Sequence, residues 1–338
     1  MMRTFKLLSW FTALPCLLFT TNFQDLCAGE GARHLKFLNY PGCIELSNKA
    51  GTVAVLGHHV GGRVLSYKQN GKESLYLNPA EKEWSPKNGR KPSSAGRFDI
   101  GPEYLIPKRT ELWSGEWSAK ITGARSARLT SKPAADAGIR LVRDFVLAEN
   151  SSHLACTQTM VNTSGQTRRW CHWGRMFAIH GGIGIVPLSP EYQRFPKGYI
   201  MMRGRDEMLI LPEDPNIRKR GNFLEILAPP KEPKLGFDSY AGWFAYQMPN
   251  DLAFIKTYKT FPQRLYGEIA GLTLSIWYPR SEWVPACELE PIGPMEVLQP
   301  GQEASFTENW YLLPNKFPEK GSSLDLSALA EKVKPLLP

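Results

Sequence analysis

The chain has 338 residues, 42% hydrophobic and 22% charged, with 29 Gly, 27 Pro and 10 Trp, a composition rich in turn formers and aromatics that excludes a disordered chain. Its formal net charge is +9, but the basic residues are scattered in small groups (87–91, Arg168-Arg169, 218–220) with no nucleic-acid-binding signature. The excess reads as a solvated surface or as attraction to a polyanionic glycan or an anionic envelope surface, and no nucleic acid is expected as a partner.

Residues 1–28 read MMRTFKLLSWFTALPCLLFTTNFQDLCA, in which Arg3 and Lys6 precede an apolar run from Leu7 to Phe19 and Ala28 offers a small residue for cleavage. This is the pattern of a secretory signal peptide. The run is shorter than the roughly 20 residues that a spanning helix needs. Neither Cys16 nor Cys27 has a small residue directly before it, which argues against a lipid anchor. Export to the periplasm or beyond is expected, followed by release without stable membrane insertion, and 29–338 is expected to be a single domain.

Beyond the leader, apolar or alternating runs bounded by Gly, Pro, Asn or Asp predict strands at 52–56, 63–68, 117–121, 139–148, 153–162, 167–173, 182–187, 243–247, 253–259, 272–278, 284–290 and 304–313. Strands at this density imply an all-β fold, a large antiparallel sandwich or barrel. Between the early strands, 78–102 is polar and rich in Pro, Gly and Ser, and reads as a long loop inside the domain, of the kind that lines functional sites. At the end of the chain Leu326, Leu329, Ala330 and Val333 fall at helical spacing behind Ser323. They predict a short amphipathic helix, capped by Ser323 and packed on the outside.

The cysteines beyond the leader, Cys43, Cys156, Cys171 and Cys287, are too widely spaced for a redox or zinc motif. Free buried thiols and one disulfide both remain open, since a core of this size needs no staple. Metal binding has no support: His58 and His59 are adjacent and would face opposite ways on a strand, and no HExxH or DxDxDG occurs. No G-x-S-x-G nucleophile motif is present either, and no cofactor is expected.

Two carboxylates stand out in the segment ELEP at 288–291. On a strand, residues i and i+2 share a face about 7 Å apart, so Glu288 and Glu290 point one way and Cys287 and Leu289 the other. Alternation of this kind also describes a plain solvated face. Aromatic and basic residues elsewhere are suited to sugars, which bind through flat C–H faces and planar hydrogen-bonding groups. Trp113, Trp117, Trp173 and Trp310 are candidate platforms, with core packing as the alternative for Trp117 and Trp310. Arg97, Arg109 and Arg175 can hold a carboxylate or sulfate through bidentate contacts.

The order of elements over roughly 45–315 resembles the aldose 1-epimerase superfamily, the galactose mutarotase-like β-supersandwich. GGRVLSY at 61–67 is similar to that fold's opening hairpin, 139–170 to its central strand pair, and 288–312 to its closing strands. HWGRMFAIHGG at 172–182 and LPEDPN at 211–216 resemble an uncharacterised exported subgroup. The resemblance implies His172, ten residues after Asn162, as general acid, and Glu290, in Leu289-Glu290-Pro291, as general base. The surroundings of His172, Cys-His-Trp-Gly-Arg, depart from the family's Asn-His-x-Tyr-Phe. A carboxylate of pKa about 4.3 and an imidazole of about 6.5 supply a base for the anomeric hydroxyl and an acid for the ring oxygen, with no metal. The implied function is binding of a carbohydrate, an acidic glycan included, with exchange of sugar anomers. Its alternative is a non-catalytic glycan-binding or structural envelope protein. The expected site is therefore His172 and Glu290 for chemistry, with Arg97, Arg109, Trp113, Trp173, Arg175 and Glu288 for substrate.

Overall fold

Strand Leu154–Asn162 buries every second residue from Leu154 to Asn162, and its neighbour Ile139–Leu147 does the same from Ile139 to Leu147. A period of two turns one face of each strand to a core, and repetition of this pattern builds the molecule. The computed structural model describes residues 30–84, 94–204 and 207–338. The expected signal peptide, and 85–93 of the expected loop, lie outside the described residues.

Among the described residues the strands form a 13-stranded sheet and a 10-stranded sheet. Tyr67, Ile100, Met176 and Leu289 of the first sheet share one core with Phe145, Met160, Phe254 and Trp310 of the second. Trp310 stacks on Phe98 with ring centroids 5.5 Å apart. The middle of the first sheet positions the site. It contains β1 (Gly96–Gly101), β2 (Arg168–Ile179), β3 (Lys234–Phe237), β4 (Leu274–Trp277) and β5 (Ala286–Pro291), side by side in the order β1, β2, β5, β4, β3. Each neighbouring pair is antiparallel.

Each predicted strand overlaps an observed one. The expected loop at 78–102 is corrected, because it ends in β1, a central strand paired to β2 along its length. Arg97 and Asp99 alternate there with Phe98 and Ile100, and all four are buried. Strand β2 also runs past its predicted end at 173, continuing through Gly174 to Ile179. A Cβ on Gly174 would collide with the Glu308 carboxylate and the Pro291 ring, so this glycine marks close packing and not a turn.

The C-terminal helix Leu326–Val333 packs Leu326, Leu329 and Val333 against Ile185, Ala245 and Ile255 of the second sheet. Its cap is Asp325, whose carboxylate accepts from the Ala328 N–H at 2.9 Å. Ser323, the expected cap, instead accepts from Arg218 at 3.1 Å. Cys43, Cys156, Cys171 and Cys287 are all buried and free. Among the described residues no helix is long and apolar enough to cross a membrane.

Candidate functional site

The two faces of β2 separate the chemistry. His172, Gly174 and Met176 point toward the second sheet, whereas Trp173, Arg175 and Phe177 point away from it. On β5, Cys287 and Leu289 enter the core, so Glu288 and Glu290 share the outer face with Trp173 and Arg175. The register sets these side chains in rows: Arg97 lies opposite Arg175, Asp99 opposite Trp173, and Phe177, Glu288, Trp277 and Lys234 follow one another across four strands.

Over this face lies a cleft of about 660 Å³. Arg175, Phe177, Glu288, Trp277 and Lys234 form its floor, and Arg109 and Trp113, on and just before the helical turn Thr110–Trp113, form a wall with Glu103 and Tyr104. Arg109 donates to both oxygens of buried Asp99, and the Arg97 guanidinium stacks 3.7 Å above the Trp113 ring. Arg175 donates to Glu288 at 3.2 Å and lies 3.5 Å from Glu103. Burial would lower the pKa of Arg175, but Glu288 and Glu290 outweigh it and hold the guanidinium charged.

Glu290 lies beneath the cleft and is fully buried. It accepts from the Trp173 indole at 2.7 Å, and Lys234 donates to both its oxygens at 2.7 and 2.6 Å. Burial and then the Glu288 charge push its carboxyl up to about 7, against the pull of Lys234 and Arg175. Glu288, 4% exposed, is the carboxylate that reaches the cleft.

His172 lies between the sheets. It stacks on Phe306 with centroids 4.6 Å apart, its Nε2 is 2.7 Å from Glu308, and its Nδ1 is 3.1 Å from the Gln158 amide. Gln158 accepts from Arg143 at 2.8 Å through its oxygen, so its nitrogen donates to Nδ1 and the Nε2 proton goes to Glu308. Burial lowers the pKa of His172 despite Glu308, which keeps the ring neutral. Glu308 also accepts from Lys256 at 2.8 Å and from Trp310 at 2.9 Å. Burial would raise its pKa, but Lys256 and His172 take it down to about 2. This is a closed polar network with all its members in the core.

The structure does not bring His172 and Glu290 together: His172 points between the sheets and Glu290 lies on the outer face of the first. Of the expected binding residues, Arg109, Trp113, Arg175 and Glu288 line the cleft, while Arg97 and Trp173 lie behind and below its surface. Trp117 and Trp310 are core residues. His58 and His59 do not diverge as expected, since their rings lie 4.0 Å apart in a bend. No cluster able to hold a metal occurs among the described residues. Phe177, Lys234 and Trp277 are not among the residues expected from the sequence. Trp277 alternates with Leu274 and Ile276 inside a predicted strand, a signal that was present. Lys234 sits in a four-residue strand, too short for a pattern to emerge.

No model of a known family matches the chain, and no curated protein matches its sequence. Solved structures do match its fold. A galactose mutarotase-like protein from Lactobacillus casei has a TM-score of 0.58 at 11% identity, covering 80% of this chain and 100% of its own. A galactose mutarotase related enzyme from Lactobacillus acidophilus has a TM-score of 0.54 at 12% identity, with 81% and 98% covered. A galactose mutarotase-like protein from Clostridium acetobutylicum has a TM-score of 0.54 at 10% identity, with 84% and 98% covered. The two sheets, their antiparallel order and these likenesses agree: the chain has the galactose mutarotase-like fold.

Proposed function

We propose that the cleft binds a carbohydrate that carries an anionic group. The observation that carries this reading is the row Phe177, Glu288, Trp277 and Lys234, flanked by Arg175 and Arg109. Trp277 and Phe177 offer flat apolar surface to sugar C–H faces, Glu288 accepts from hydroxyls, and the cations suit a carboxylate or sulfate. A fold shared with mutarotase-like proteins fits a sugar ligand. Calorimetric titration with a panel of uronic acids, sulfated sugars and neutral hexoses tests it. Binding of an acidic sugar that Trp277→Ala weakens about tenfold or more, a loss of at least about 1.4 kcal/mol, is the expected result. Absence of binding across the panel defeats the reading.

Anomer exchange is a second reading, favoured by one observation. A carboxyl at about 7 can both take and give a proton near neutral pH, and Lys234 connects Glu290 to the cleft. In this version Glu290 acts through Lys234, and His172 has no part. Exchange NMR on a bound sugar decides it: acceleration lost in Glu290→Gln supports catalysis, and no acceleration leaves a glycan-binding protein. We also read the protein as exported, on the pattern at 1–28. N-terminal sequencing of protein recovered outside the cytoplasm, starting after Ala28, is the test.

A further inference from the structure

A second cleft, of about 420 Å³, is lined by Tyr192, Arg194, Tyr240, Arg264, Leu265 and Tyr266, among others. We propose that it is a subsite for further residues of the same ligand, so that the protein takes an acidic oligosaccharide and not a single sugar. This rests on the reading of the first cleft.

Aromatic surface is the first argument. Tyr192 and Tyr240 meet edge to face with centroids 5.3 Å apart, and Tyr240 meets Tyr266 at 5.6 Å, so the rings form a continuous stepped wall. Tyr192 is 41% exposed and Leu265 72% exposed, so the wall opens to solvent there, while Tyr266 at its base is buried. Stepped aromatic surface of this kind fits successive sugar rings, each with a C–H face.

Charge is the second. The lining contains two cations, Arg194 and Arg264, and no carboxylate, although buried Asp238 behind it lies 3.9 Å from Arg194. Arg194 is held by a bond to the Gly271 carbonyl at 2.7 Å, and Arg264 by bonds to the Met295 carbonyl at 3.1 Å and Glu296 at 2.8 Å. Both guanidiniums are thus oriented before any ligand arrives, which reduces the entropy lost on binding.

Continuity is the third. The segment Tyr266–Gly271 links the second cleft to the wall of the first: Tyr266 and Gly271 line the second, and Glu268 between them accepts at 2.8 Å from the N–H of Glu103, which lines the first. Phe195, next to Arg194, packs in one small cluster with Met202 of the first cleft and with Ile269. The same apolar cluster thus supports residues of both clefts.

The test is calorimetric titration of galacturonate and its oligomers up to the hexamer, with sulfated heparin fragments and polyglutamate as parallel series. Wild type is compared with Tyr192→Ala and Arg264→Gln, both at exposed or half-exposed side chains. In wild type, one of the sugar series gains at least about tenfold in affinity from monomer or dimer to tetramer, as a second linked contact should give. Each variant keeps the affinity for the shortest ligand and loses most of the gain, and the series that gains identifies carboxylate or sulfate as the anion. A gain that survives in both variants, no gain with length, or an equal gain with polyglutamate overturns the proposal while leaving the first cleft intact. If no sugar of any length binds wild type, the first-cleft reading fails and takes this one with it.

Discussion

Glu288 and Glu290 differ by two positions and share a face, yet only one reaches the cleft. Glu288 meets Arg175 on the cleft floor, and Glu290 is sealed under Lys234 and Trp173. Because the folded-state pKa of Glu290 is raised from 4.5 to about 7, the folded protein binds its proton more readily than the unfolded chain does. That contribution to stability is full below about 4.5 and is lost as pH rises through about 7. Glu290→Gln cannot titrate, so the melting temperature of wild type should fall relative to this variant between about pH 5 and pH 8. A flat or rising difference in paired thermal melts contradicts the burial and charge assigned to Glu290. His172 gives the opposite kind of expectation. His172→Gln breaks a core network, costing about 1–3 kcal/mol in denaturant unfolding. Sugar affinity should stay within about twofold of wild type, because no atom of His172 faces the cleft. A large loss of affinity with unchanged stability would restore His172 to the site.

At the scale of elements, the alternation of β2 explains both what was legible and what was not. The period-two pattern predicts Ile139–Leu147 and Leu154–Asn162, where buried and less buried residues alternate in the structure. In β2, the expected substrate contacts Trp173 and Arg175 alternate with His172, the expected acid. Neighbours on one strand point to opposite faces, so the sequence alone contained the conflict. The family resemblance supplied His172, and the strand geometry overrides it. Strand β1 was hidden for a different reason: buried Arg97 and Asp99 look like loop residues until Trp113 and Arg109 are seen to cover them. The C-terminal helix was legible in its apolar face but not in its cap, since Ser323 and Asp325 are both suitable cap residues. Asp325→Ala should cost about 1 kcal/mol and Ser323→Ala markedly less, measured by urea unfolding. Equal losses would contradict Asp325 as the cap.

For the whole molecule, the fold was the most legible part, because strand density and the order of short motifs constrain topology even at 10–12% identity to the solved structures. The site was less so. Its floor is built from short pieces of separate strands that only the sheet order β1, β2, β5, β4, β3 brings into one row. Both clefts are bordered by arginine or lysine in a chain of net charge +9, so binding of an anionic sugar should weaken as salt rises. Between about 0.05 and 0.5 M salt the dissociation constant should increase several-fold, whereas a salt-independent constant would remove the role of the cations. The central claim is where the sugar sits, and a crystal structure with an acidic sugar bound tests it most directly. The account predicts a sugar ring against Trp277 with its anionic group among Arg109, Arg175 and Lys234. A sugar bound elsewhere on the molecule, with the row of Phe177, Glu288, Trp277 and Lys234 left bare, would contradict it.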